Sequence, residues 1–101
     1  IRDSIRTERY EVTGFTKESV TQTTATLKWN KNTTATGYIV EQYKGGKWTQ
    51  IAKTTSNSTL TCTAKGLKAN TTYTFRIRAY KTSGSSTKYS NYVRAAVTTA
   101  K

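Results

Sequence analysis

The clearest pattern in the chain is a strict alternation of apolar and polar residues between Tyr73 and Tyr80. Tyr73, Phe75, Ile77 and Ala79 are apolar or aromatic, and the residues between them are polar or amphipathic. Successive side chains of a β-strand point to opposite faces, so this alternation predicts a half-buried antiparallel strand. A helix would need apolar residues three and four positions apart, which this run does not provide. We therefore expect a central strand here.

Shorter runs with the same alternation predict six further strands. In chain order, these strands are residues 10–17, 25–29, 38–43, 47–53, 60–64 and 92–99. The first is a loose edge strand anchored by Val12, and Gly45-Gly46 favours a two-residue hairpin turn between the third and fourth. Polar, turn-rich residues predict loops at 30–37, 54–58 and 81–88. Seven strands without a helical segment indicate an all-β chain folded as an antiparallel β-sandwich.

Several landmark residues stand in an order and at separations that resemble the fibronectin type III family. They are Trp29 at the end of a strand, Gly37-Tyr38-Ile39-Val40, Trp48 after the hairpin, Gly66-Leu67, residues 73–80, and Ser90-Asn91. The likeness covers residues 12–99 and implies a seven-stranded immunoglobulin-like sandwich in which Trp29 bridges the two sheets. It also implies a tyrosine corner, with the Tyr73 hydroxyl bonded to backbone just upstream and its ring beside Leu67. The expected core residues are Trp29, Tyr38, Val40, Leu67, Tyr73, Phe75 and Ile77.

The chain departs from this family pattern in containing no proline. Family members often have proline two residues after the leucine, where this chain has Ala69, so we expect slightly looser ends and loops. The high content of Thr, Lys and Asn resembles that of bacterial members of the family. By resemblance, those lie in secreted or surface-anchored multimodular proteins, often beside glycoside hydrolase or carbohydrate-binding modules. The resemblance therefore implies an extracellular or cell-surface location, with neighbouring modules of the same chain as partners.

The length of 101 residues suits one domain, which we place at residues 10–101, with residues 1–9 as a linker or flexible N-terminal segment. These first residues lack the apolar segment of a signal peptide, and no apolar run is long enough to span a membrane. Cys62 is the only cysteine, which excludes an internal disulfide. Because no histidine is present to activate this thiol, we expect it to be a small buried hydrophobic group.

The inventory of reactive side chains argues against catalysis. The chain has no histidine, and its carboxylates are Asp3, Glu8, Glu11, Glu18 and Glu41. No two of them stand on adjacent core strands, as the two carboxylates of a glycosidase would. A glycine-rich loop before a helix and a cluster with metal-ligand spacing are also missing. We therefore expect no enzyme activity, no cofactor and no metal site.

The net charge is +12, from 17 Lys and Arg against 5 Asp and Glu. Such a surface attracts polyanions, and it also keeps a soluble protein self-repelling. Because the cations are spread singly among threonines, we expect no specific nucleic-acid binding. Strand parity places six aromatic and cationic side chains on one outer sheet face: Tyr43, Trp48, Arg76, Arg78, Tyr80 and Arg94. These side chains would either bind sugar rings and acidic groups or cover one another.

Three functions stay open from the sequence. The first is a non-catalytic structural module that spaces its neighbours in a secreted or cell-surface protein associated with polysaccharide-degrading enzymes. The second is binding of a polysaccharide or an anionic cell-wall polymer through Trp48, Tyr43 and the arginines. The third is protein–protein adhesion through the 81–88 loop, which has no Arg-Gly-Asp sequence, or through an exposed sheet edge. The complete fold signature and the empty catalytic inventory favour the first.

Overall fold

A computed structural model describes residues 11–101, so the expected linker at residues 1–9 lies outside the described residues. The described chain forms eight β-strands and no helix. They are β1 (Thr16–Val20), β2 (Ala25–Lys28), β3 (Gly37–Lys44), β4 (Lys47–Lys53), β5 (Thr61–Ala64), β6 (Thr72–Ser83), β7 (Ser86–Tyr89) and β8 (Val93–Thr98). All pairings are antiparallel, as the alternation predicts, but there are eight strands where we expect seven.

The strands form two sheets that enclose the core. One sheet has three strands in the order β1-β2-β5, and the other has five. In the larger sheet β4, β3 and β6 lie side by side, and β8 and β7 share the remaining edge of β6. β8 pairs with β6 from Thr72 to Ile77, and β7 pairs with it from Tyr80 to Ser83. β6 is therefore bonded to three other strands of its sheet.

The turn between β3 and β4 is the glycine hairpin that the sequence predicts. Gly45 and Gly46 have φ angles of +54° and +88°. A two-residue turn that matches the twist of its strands needs positive φ at both positions, which glycine adopts without steric cost. Lys44 pairs with Lys47 directly across the turn. The turn thereby sets the register of the two strands that follow from it.

A β-bulge further along β4 changes which of its residues face the core. Val40 and Glu41 of β3 pair with Ala52 and Gln50, so β4 accommodates one extra residue, Ile51, between them. Both Ile51 and Ala52 pack against the core, which strict alternation would not allow. The bulge also returns the last residue of β4 to the outer face of the sheet.

The first strand lies later in the chain than the sequence predicts. β1 starts only after Gly14, and Val12 is buried at 3% exposure without belonging to a strand. Gly14 adopts a φ of +70°, which interrupts the extended backbone, and a Cβ there would meet the Asn30 side chain at 2.6 Å. The predicted strand over residues 10–17 is therefore wrong in its bounds, and Tyr10 lies outside the described residues.

Residues 81–88, predicted to be a loop, form a β-hairpin instead. β6 continues to Ser83, Gly84 turns the chain with a φ of +61°, and β7 runs from Ser86 to Tyr89. Residues 81–89, which make up this hairpin, are all exposed. Apolar alternation arises where one sheet face is buried, so a hairpin that is solvated on both faces does not show it. This hairpin accounts for the eighth strand.

The core contains side chains from both sheets, with Trp29 in contact with two other rings. The Trp29 ring centroid lies 5.5 Å from that of Tyr38 and 6.3 Å from that of Phe15. Six of the seven expected core residues belong to the buried cluster, and Tyr73 is half-buried and packs against it. Cys62 is also half-buried at the margin of this cluster, where burial raises the pKa of its thiol.

A tyrosine corner fixes the chain just before β6. The Lys68 backbone N–H donates to the Tyr73 hydroxyl at 2.7 Å, which is the bond that the family resemblance implies. The Thr99 hydroxyl donates to the Lys68 carbonyl and accepts from the Thr71 N–H. Leu67, immediately upstream, is buried. These bonds tie the loop between β5 and β6 to the residues that follow β8.

Replacing Tyr73 by Phe should lower the free energy of unfolding by about 1 kcal/mol, because it removes one hydrogen bond at a half-buried site. A denaturant titration measures this loss as a lower midpoint of unfolding, with an unchanged dependence of the free energy on denaturant concentration. Tyr43→Phe is the matched control, since the exposed Tyr43 hydroxyl has no hydrogen bond to the described residues, and it should change stability by less than about 0.5 kcal/mol. Equal midpoints for the two variants would contradict a stabilising tyrosine corner.

Replacing Trp29 by Ala should lower the free energy of unfolding by about 3–5 kcal/mol, because it leaves a cavity between the sheets. The same change at Trp48, on the outer face, should cost less than half as much, since that ring is only half-buried. Thermal and denaturant unfolding of both variants measure the difference. If the two variants lose the same stability, Trp29 does not bridge the sheets as described.

Candidate binding face of the five-stranded sheet

The side of the five-stranded sheet that points away from the core, here called the outer face, collects aromatic and cationic side chains. Strand register decides which of them are neighbours. Trp48 of β4 pairs with Tyr43 of β3, and one row further Glu41, Arg76 and Arg94 lie side by side on β3, β6 and β8. Like charges directly opposite each other in a sheet repel. The two arginines of this row therefore need neighbours that offset their charge.

Arg76 is held from three sides. Its Nε donates to Glu41 Oε1 at 2.6 Å, which makes an ion pair. Its guanidinium carbon lies 3.7 Å from the Tyr92 ring centroid and 4.3 Å from that of Trp48. A guanidinium group is planar and weakly hydrated, so it stacks on the electron-rich faces of aromatic rings. Arg76 therefore positions two aromatic rings while its own charge is compensated.

Arg78 occupies a similar place further along the outer face. Its guanidinium carbon lies 3.9 Å from the Tyr89 ring centroid and 4.6 Å from that of Tyr92. Its Nε is buried without a hydrogen-bond partner among the described residues. Tyr92 thus lies between the guanidinium groups of Arg76 and Arg78. The alternating series of Trp48, these two arginines and the two tyrosines is called the arginine–aromatic ladder below.

An open depression of about 370 Å³ lies near the β3–β4 hairpin, lined by Tyr43, Trp48, Thr74 and Arg94. These four residues are called the notch below. The planes of Tyr43 and Trp48 meet at 65° with ring centroids 5.2 Å apart, and Tyr43 is 47% exposed. Arg94 is exposed, with its guanidinium carbon 5.7 Å from the Trp48 centroid. Arg94 forms no ion pair within residues 11–101.

Tyr80 is on the outer face, yet it is 5% exposed. Its hydroxyl donates to the Thr54 carbonyl at 2.7 Å, and the Lys53 ammonium lies 5.1 Å from its ring centroid. A Cβ at Gly37 would lie 3.0 Å from the Tyr80 ring, so the missing side chain there makes room for the ring. The prediction that Tyr80 is displayed to a ligand is therefore wrong, and Tyr80 is a packing residue.

Five of the six predicted residues contribute to the ladder or to the notch: Tyr43, Trp48, Arg76, Arg78 and Arg94. Sequence reasoning missed Tyr89, Tyr92 and Thr74. Tyr92 stands two residues before Arg94, so strand parity carries the signal for its position on the same face. Tyr89 belongs to β7, whose residues are all exposed, so no alternation of apolar and polar residues predicts which face Tyr89 is on.

The outer face is far more positive than negative. Glu41 is the only side-chain carboxylate on the strands of the five-stranded sheet in the described chain, and it is paired with Arg76. Lys53 of β4 is exposed and lies on the same face beside Tyr80, and the exposed Lys44 and Lys47 flank the β3–β4 turn. A negatively charged group approaching the notch would therefore meet an attractive field.

Other kinds of site find little support in residues 11–101. No three acidic, cysteine or histidine side chains come together there in a way that could hold a metal ion. Within the same residues, no helix is long and apolar enough to span a bilayer.

Solved structures show the same fold. The "Crystal Structure of FN3tt" is 29% identical to this chain, with a TM-score of 0.72 over 89% of this chain and 92% of that one. The fibronectin type III domain of the human fibronectin type III domain containing protein 3 is 21% identical, with a TM-score of 0.64 over 88% and 84% of the two chains. The second likeness is informative about the fold alone.

Comparison by sequence finds a curated relative and identifies the family. Chitinase Chi52 of Paenibacillus xylanexedens is 38% identical over 72 residues, which are 70% of this chain and 13% of the chitinase. The chain thus spans a small part of this curated relative. The family model described as "Fibronectin type III domain" matches residues 10–96. With the sandwich and the tyrosine corner in place, the chain belongs to the fibronectin type III family.

Proposed function

We propose that this domain is a non-catalytic spacer module of a secreted or cell-surface multimodular protein that degrades polysaccharide. The observation that carries this proposal is where the chain enters and leaves the sandwich. Further support comes from the hydrogen bonds that fix the loops at the entry end and from the proteins to which the chain is related.

The two ends of the described chain lie at opposite ends of the sandwich. The Glu11 carbonyl accepts a hydrogen bond from the Asn32 side-chain amide, in the loop between β2 and β3. The Ala100 N–H donates to the Thr21 carbonyl, in the turn between β1 and β2. The β1–β2 hairpin separates this turn from that loop, because β2 runs from one to the other. A domain that is entered at one end and left at the other holds its attached neighbours apart.

The loops at the entry end are tied to the body of the domain. The Tyr38 hydroxyl donates to the Asn57 carbonyl at 2.9 Å and accepts from the Asn32 N–H at 2.8 Å. The Asn57 side-chain amide donates to the Ala35 carbonyl at 3.0 Å. These bonds join two loops through one buried tyrosine.

The relatives supply the context of a longer protein. Domains of this family are generally non-catalytic modules, and the chain matches 13% of a protein named as a chitinase. We infer a similar place for this domain, beside an enzyme module that acts on polysaccharide outside the cell. The lack of histidine and the engagement of Glu41 by Arg76 support a non-catalytic role.

Fluorescent dyes at residues 13 and 101 should report a longer distance than dyes at residues 13 and 91. Asn91 lies at the entry end, where its side-chain amide contacts Glu11. The expected difference is roughly 20 Å, since an extended strand rises about 3.3 Å per residue. Single-molecule energy transfer in a Cys62→Ala background measures both distances, using Thr13→Cys with Lys101→Cys or Asn91→Cys.

The width of the distance distribution tests rigidity in the same experiment. The pair at residues 13 and 101 should give one narrow population in buffer and a broad one above the denaturation midpoint. Equal distances for the two dye pairs would contradict the placement of the ends. A broad distribution in buffer would contradict the spacer role.

The purified domain should release no reducing sugar from chitin under conditions in which a chitinase does. The reason is that the described side-chain carboxylates stand apart: Glu11 precedes β1, Glu18 is on β1 of the three-stranded sheet, and Glu41 is on β3 of the other sheet, paired with Arg76. A reducing-sugar assay over several hours checks this, with a Glu41→Gln variant as a second sample. Release by the wild-type domain that disappears in Glu41→Gln would overturn the non-catalytic assignment.

A further inference from the structure

The three arginines of the outer face differ in what already surrounds them. Arg76 is bonded to Glu41 and lies against two rings, and Arg78 lies between two tyrosines. Arg94 is exposed, has no ion pair in the described chain, and approaches only the Trp48 ring at 5.7 Å. Two of these arginines therefore build the face, and the third has no hydrogen-bond or ion-pair partner for its donors within residues 11–101.

The two rings of the notch are held in place before any ligand arrives. The Gly45-Gly46 turn fixes Tyr43 and Trp48 as a cross-strand pair, and Arg76 contacts the Trp48 ring at 4.3 Å. Side chains that are already ordered lose little conformational entropy on binding. The 370 Å³ depression that they line lies within the range of small-ligand sites.

We propose that the notch binds one residue of an anionic polysaccharide, with a uronic acid as the unit recognised. The C–H groups of a pyranose ring carry partial positive charge and pack on the faces of Tyr43 and Trp48. The carboxylate of the same sugar takes paired N–H bonds from the Arg94 guanidinium, whose planar fork matches that group. Thr74 also lines the notch and offers a hydroxyl group to the hydroxyls of the sugar.

Charge and shape favour this occupant. The net charge of +12 and the exposed lysines of β3 and β4 attract a polymer that repeats its negative charge. A nucleic-acid base needs a flat, open ring to stack on. Here the two rings meet at 65°, so the notch is an angular pocket instead of a platform. The proposal goes beyond the spacer role and does not rest on it.

Titration calorimetry of the whole 101-residue chain with oligogalacturonate at physiological ionic strength tests this proposal. The wild type should bind saturably, and Trp48→Ala should weaken binding by about tenfold through lost stacking. Arg94→Gln should weaken it by about tenfold through the lost carboxylate pair, and Arg94→Lys by less. Lys17→Gln removes the same charge from β1 of the other sheet and should change the affinity less than twofold.

Two further measurements test whether the variants fold and where the ligand binds. Arg94→Gln should melt cooperatively within a few degrees of the wild type, because Arg94 is exposed and makes one long contact with the Trp48 ring. Tyr43→Ala serves as a second ring variant if Trp48→Ala melts early. Amide shifts in the wild-type NMR spectrum should move on titration at Tyr43, Trp48, Thr74 and Arg94.

Each other outcome overturns the proposal. No saturable binding of oligogalacturonate excludes the site, and equal losses in Arg94→Gln and Lys17→Gln would reduce it to unspecific charge attraction. Binding of neutral N-acetylglucosamine oligomers with the same affinity would remove the anionic part of the assignment. Tighter binding of an oligothymidylate with the same dependence on Trp48 would make the ligand a nucleic acid. None of these results bears on the distances between dyes that test the spacer role.

Discussion

The register of β6 is the constraint on which both faces of the larger sheet depend. β6 is bonded to β3 on one edge and to β8 and β7 on the other, so its pairing positions three strands at once. Its inward residues Phe75 and Ile77 are fully buried, and its outward residues Arg76 and Arg78 build the ladder. A slip of one residue would exchange these sets. Burying two guanidinium groups without partners costs far more than the lost apolar contacts, so the arginines enforce the same register as the core.

The outer face shows how a sheet tolerates closely spaced arginines with one carboxylate. Arg76 and Arg94 face each other across β6 and β8, an arrangement that is repulsive in isolation. Glu41 compensates one charge, and the Trp48 ring lies within 4.3 Å of one guanidinium and 5.7 Å of the other. Each such contact contributes about 0.5–1 kcal/mol at an exposed site. The aromatic rings therefore replace the acidic partners that a mixed-charge surface would use.

How far the sequence predicts this structure depends on whether one side of a strand is buried. The strands over β2, β3, β4, β5 and β8 bury one face, so alternation and the Gly45-Gly46 turn placed them within a few residues. The 81–88 hairpin buries neither face, and no periodic signal exists there. The first strand begins later than predicted because Gly14 interrupts the extended backbone, and a hydrophobic pattern does not encode that conformation.

The candidate site was predictable to the same extent and for the same reason. Parity placed Trp48 and the three arginines on one face, but parity does not reveal how deep a side chain lies. Tyr80 is buried because Gly37 leaves space for its ring and Thr54 accepts its hydroxyl, and both residues are distant in sequence. The pairing of Glu41 with Arg76 likewise distinguishes that arginine from Arg94, and only the register between strands shows it.

The two proposed roles, spacing and binding, depend on different residues and are therefore compatible in one domain. The positions of the chain ends follow from the hairpins, the tyrosine corner and the bonds of Tyr38 in the entry loops. The notch lies on the outer face of the five-stranded sheet, near the β3–β4 turn. A rigid body would then hold the notch at a constant distance from whatever is joined to either end. Weak contact with a polymer gains most from such rigidity, because a fixed second contact raises the effective concentration of the first.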